Sequence, residues 1–141
     1  MNNDFQDEGM VALSQALLDN TTLTTLKLGI RRTGKFVNIS GAIAFAQVLT
    51  SSRTSLTTLV LNDFLDSHNA SPIIKALGSN KSLVHLDLKL GNHESPLAEE
   101  LVFHLQRHPK LTSLSLDSIP PPANLHCFFT DEQHPGFSSL W

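Results

Sequence analysis

The sequence holds a single cysteine, Cys127, so no internal disulfide framework can form. That shortage suits a reducing compartment. Basic residues are not in excess, and a formal net charge of −3 argues against a nucleic-acid-binding surface as the main purpose. No apolar stretch approaches the ~20 residues that span a bilayer. The N-terminus, Met1 to Glu8, is acidic and lacks the basic flank and apolar run of a signal peptide. These absences lead to the expectation of a cytoplasmic protein. Charged residues make up 16% and apolar residues 40%, a balance that builds a core and does not suit a disordered chain. At 141 residues the chain has the length of one domain.

What is present is a repeat. The pattern Leu-x-x-Leu-x-Leu occurs at Leu23/Leu26/Leu28, Leu56/Leu59/Leu61, Leu83/Leu86/Leu88 and Leu111/Leu114/Leu116. The first leucines lie 33, 27 and 28 residues apart. Two of these spacings fall in the leucine-rich range of about 20–29 residues, and the longer one implies an insertion. Each set follows a stretch with helical spacing. The apolar faces expected are Leu13, Ala16 and Leu17; Phe45, Val48 and Leu49; Ile73, Ala76 and Leu77; and Leu97, Leu101 and Leu105. Ser71-Pro72 and Ser95-Pro96 read as helix starts, and Asn20, Asn80 and Pro109 as stops. Four Asn-x-Ser/Thr sequons, at Asn20, Asn38, Asn69 and Asn80, read as the same punctuation in a chain without a secretory signal.

One strand-plus-helix unit cannot bury its own apolar face, whereas stacked units can. The predicted fold class is therefore α/β: a leucine-rich-repeat solenoid of about four repeats. It would form a short horseshoe with a parallel sheet on the concave side and helices on the convex side. The solenoid is expected over residues 1–117, beginning mid-repeat, followed by a Pro/Phe-rich tail over 118–141. The tail contains Pro120-Pro121-Pro122, Phe128-Phe129 and Trp141. It can be read as a cap on the last repeat, as a peptide ligand, or as sequence that packs nowhere.

Asp7-Glu8-Gly9, Ala12-Leu13, Ala16-Leu17 and Asn20-Thr21-Thr22-Leu23-Thr24-Thr25-Leu26 closely resemble the ribonuclease-inhibitor type of leucine-rich repeat. So do Gly41-Ala42 through Leu49 and Ser55 through Leu59. Similar repeats occur in nucleotide-binding innate-immune receptors and in repeat proteins of unicellular eukaryotes. The resemblance covers roughly residues 3 to 117 and implies a binding scaffold. The sequence departs from the family where an asparagine is expected three positions past the last strand leucine; Arg31, Phe64, Gly91 and Ile119 stand there. It also opens inside a repeat, which predicts an unpaired edge on the first strand.

A protein partner is expected on the concave face, formed by Thr25, Lys27, Thr58, Val60, Asn62, His85, Asp87, Lys89, Ser113 and Ser115. A second candidate is the basic loop 29–39, with Arg31, Arg32 and Lys35, which could meet an acidic peptide or phosphate. Its bland reading is a solvated loop with Phe36 and Ile39 tucked against the core. No nucleophile elbow or Gly-rich phosphate loop is present, and Glu99 and Glu100 diverge on a helix. His104 and His108 have a metal-compatible spacing but no third ligand, so they read as structural or surface residues. No catalytic residue, metal or cofactor is expected, and neither a nucleic-acid nor a membrane partner. Two alternatives stand beside the scaffold. GTPase-activating proteins for the small nuclear-transport GTPase share the repeat class, so loop 29–39 could stimulate a small GTPase. The chain could also be a fragment of a larger repeat protein without independent function.

Overall fold

The computed structural model describes residues 7–29, 37–62, 70–89, 95–106 and 108–117. Four helices alternate with four strands: α1 Asp7–Asp19, β1 Thr25–Gly29, α2 Ile39–Thr50, β2 Thr58–Asn62, α3 Ala70–Ser79, β3 His85–Lys89, α4 Ser95–Leu105 and β4 Ser113–Asp117. The strands form one parallel sheet in sequence order, β1-β2-β3-β4. The last two leucines of each set lie within the strands and alternate with Thr, Lys, Val, Asp or Ser, so one sheet face is apolar and the other polar. Register follows the leucines without slippage: Leu26 pairs with Leu59, Leu59 with Leu86, and Leu86 with Leu114.

The helices pack in chain order, α1 on α2, α2 on α3 and α3 on α4. Their apolar faces and the strand leucines make one continuous core. Phe45, Val48, Leu49, Ile73, Ala76, Leu77, Leu101 and Leu105 are buried as their spacing predicts. The side chain of Leu97 lies outside those described. The first helix differs from expectation. Leu17 is buried, but Leu13 is only half-buried and Ala16 is exposed, while Met10 and Ser14 are buried instead. Among the described residues α1 has a helix neighbour on one side only, so its burial rotates toward α2.

Adjacent helices come close at two glycines. The Gly41 N–H donates to Asp7 Oδ1 at 3.0 Å, joining the first turns of α1 and α2. A Cβ on Gly78 would lie 2.8 Å from His104 Cβ and 3.0 Å from its carbonyl oxygen. Gly→Ala within a helix normally gains about 0.5–1 kcal/mol. Gly78→Ala is expected to reverse that sign and cost about 1–3 kcal/mol, because α3 and α4 must separate. A thermal melt checks it; an unchanged or higher Tm would show that the two helices are loosely packed there. Ser14 Oγ is buried without a hydrogen-bond partner. Ser14→Ala should therefore be neutral or stabilising by up to about 1 kcal/mol, measured by denaturant titration.

Each helix ends the same way. The N–H groups of Asn20, Ser51, Asn80 and His108 donate to the carbonyls of Leu17, Val48, Leu77 and Leu105, closing a tight last turn. The side chain at that position then turns the chain toward the strand. Asn20 Oδ1 accepts from the N–H groups of Thr22 and Leu23. Asn80 Oδ1 accepts from Ser82 and Leu83 in the same way. His108 Nδ1 replaces the amide oxygen, accepting from Lys110 at 3.3 Å and Leu111 at 3.0 Å. This geometry assigns Nδ1 as the unprotonated ring nitrogen. The second unit uses Ser51, and Leu49 to Leu56 spans seven positions there, against six from Leu77 to Leu83.

Two expected helix features move. Ser71 sits inside the first turn of α3, and its Oγ donates to Glu100 Oε1 at 2.9 Å, bridging α3 to α4. Ile39, expected to tuck under, opens α2 and is 47% exposed; Val37, two residues earlier, takes the buried place against Gly41.

Candidate protein-interaction face

Parallel register converts four separate strand patterns into rows on the open side of the sheet. One row runs Thr25, Thr58, His85, Ser113. The next runs Lys27, Val60, Asp87, Ser115, and a third Gly29, Asn62, Lys89, Asp117. Adjacent members of a row sit on strands about 4.8 Å apart. Thr25, Lys27, Asn62, His85, Ser113 and Ser115 are exposed, and Thr58, Val60 and Asp87 are half-buried. The expected face residues are thus brought together; the side chain of Lys89 lies outside those described. The surface carries no aromatic residue. Lys27 and Asp87, two strands and about 10 Å apart, flank Val60 with opposite charge. Such a face can meet a polar, locally bipolar partner surface around a small apolar contact. Ser and Thr hydroxyls supply both donors and acceptors there.

Arg31, Arg32 and Lys35 of the basic loop lie outside the described residues, as do the positions where the family asparagine is expected and the tail over 118–141. His104 is half-buried against Gly78 and its ring meets the Phe103 ring edge-on, while His108 turns the chain after α4. No group of three potential metal ligands occurs among the described residues. Within the same set no helix is long and apolar enough to cross a membrane.

The sequons divide by environment. Asn80 is 2% exposed, and its Nδ2 donates to the Leu49 carbonyl at 2.7 Å, so that amide is committed to the fold. Asn20 and Asn38 are exposed, and Asn69 lies outside the described residues. Sequence reasoning misses that His108 shares the turn-forming role of Asn20 and Asn80. The signal is there, since His108 precedes Leu111 by the same three residues that separate Asn20 from Leu23 and Asn80 from Leu83.

The chain is a mixed α/β protein of repeated helix–strand units on one parallel sheet. No family model matches its sequence, and no curated protein does. Its fold is similar to the solved structure of leiomodin-1 actin-binding site 2, with a TM-score of 0.60 and 19% identity over 90% of this chain and 72% of that one.

Proposed function

We propose that this protein is a leucine-rich-repeat solenoid of the ribonuclease-inhibitor type, a non-catalytic cytoplasmic module that binds a protein partner on the concave face of its sheet. The observation that carries the reading is the register. Nine described outward side chains from four strands, all polar but Val60, line one side of the sheet, while the other side is committed to the core. Scaffolds of stacked units use such sheet faces for recognition. The similarity to a domain described as an actin-binding site makes actin the first partner to test.

The experiment compares the full chain with a Val60→Glu/His85→Glu variant for binding to purified monomeric and filamentous actin. Both substitutions sit on the polar face and leave the core leucines untouched. Binding by the native chain, reduced at least about tenfold in the variant, is the expected result; disrupting a side chain at the centre of an interface costs about 1–2 kcal/mol or more. Binding unchanged by the two carboxylates would move the site off this face. No binding to either form would remove actin as the partner.

A further inference from the structure

The four units can be superposed on their leucines, and three of them agree closely in burial. Leu56, Leu83 and Leu111 are 1%, 0% and 3% exposed, and Leu59, Leu86 and Leu114 are 0%, 2% and 4%. The corresponding residues of the first unit do not follow. Leu23 is 36% exposed and Leu26 half-buried. On the helix, Leu13 is half-buried and Ala16 exposed, where Phe45 and Val48 of the second unit are both 0% exposed. Units two to four each cover this face with the unit before them.

The backbone carries the same message. The carbonyl just ahead of β1, Thr24, accepts from the N–H groups of both Thr57 and Thr58. Thr57 accepts in turn from Val84 and His85, and Val84 from Thr112 and Ser113. The equivalent donors of the first unit are Thr24 and Thr25. Among the described residues no strand lies beyond β1 to offer them a carbonyl.

We propose that the outer face of α1 and β1 is a docking surface for one more helix–strand unit of the same Leu-x-x-Leu-x-Leu type. The occupant presents the carbonyl preceding its strand to Thr24 and Thr25, and sets its apolar side against Leu13, Ala16, Leu23 and Leu26. The three interfaces between successive units define that chemistry, because each joins the same two faces in the same register. A second copy offering its last unit is the competing occupant, and self-association of the chain alone would reveal it. Residues 118–141 contain no Leu-x-x-Leu-x-Leu spacing. An exposed parallel edge with flanking leucines is the kind of surface that takes an added strand.

The test titrates the full 141-residue chain with a purified polypeptide of two consensus units whose last strand is left uncovered. Sedimentation and amide exchange are followed together. The expected result is a 1:1 complex in which exchange at Thr24 and Thr25 slows by about tenfold or more. Leu23→Asp should weaken that complex at least about tenfold, since it buries a carboxylate at the junction. Val60→Glu, on the open sheet face, should leave it intact, which separates this surface from the proposed partner face. The inference is overturned by the absence of a complex, or by one that survives Leu23→Asp with Thr24 and Thr25 exchanging as before. It is overturned equally if the chain alone protects those amides, whether as a monomer covered by its own residues or as a self-associated dimer.

Discussion

Phe45→Ala is expected to lower the unfolding free energy by about 3–5 kcal/mol, read as a large fall in the denaturation midpoint. Phe45 is 0% exposed and sits at the middle of α2, which packs against α1 on one side and α3 on the other. Its ring therefore fills space that rigid elements border on several sides, and the cavity left by alanine has little freedom to collapse. Single domains are stable by about 5–15 kcal/mol, so this loss is a large share of the total. Phe103→Ala provides the contrast. That ring is 66% exposed on α4, and its removal should change stability by no more than about 0.5 kcal/mol. Similar losses at the two positions would contradict the core described for α2.

A comparable loss is expected at Asn80, from hydrogen bonding rather than packing. Its side chain accepts from the Ser82 and Leu83 N–H groups and donates to the Leu49 carbonyl, tying the end of α3 to the end of α2. Asn80→Ala leaves those three backbone groups without their partner in a site that is 2% exposed. Two of the three, the Leu49 carbonyl and the Leu83 N–H, are buried; each so orphaned costs about 1–3 kcal/mol, and about 3 kcal/mol is expected in total. Asn20 makes the same two acceptor bonds at an exposed site, where water replaces the absent acceptor. Asn20→Ala should cost about 1 kcal/mol or less. Urea titration of the pair checks the difference; equal costs would mean that burial does not set the strength of this turn.

Those two positions also show how far the sequence can be read. Strand register, helix placement and the membership of the open face follow from period alone, because leucine spacing decides which side chains must be sheltered. Period is silent on what differs between units. It assigns Ala16 to the core by analogy with Val48 and Ala76, but burial also needs a neighbour, and α1 has one on a single side among the described residues. It places Ile39 inside, whereas the chain entering α2 shelters Val37. It groups His108 with His104 as a pair of imidazoles, although one turns the backbone and the other abuts a glycine. Asn80 and Asn20 share a motif, and only the stacking of α2 beside α3 makes one of them a buried junction.

Leu49 and Leu56 around the turn after α2 lie one position further apart than Leu77 and Leu83 around the turn after α3, yet β2 and β3 pair without slippage. The phases of β2, β3 and β4 are set by the Thr24, Thr57 and Val84 carbonyls, each of which clasps two amides of the following unit, and by leucines that fit only one way up. The connector residue just ahead of each strand makes that alignment, and the length of the rest of the connection does not disturb it. Insertions and deletions can therefore accumulate in the connectors while strand lengths stay at five residues. A chain built this way can drift in length through evolution and still present the same lattice of outward side chains, so its surface is free to diversify one column at a time.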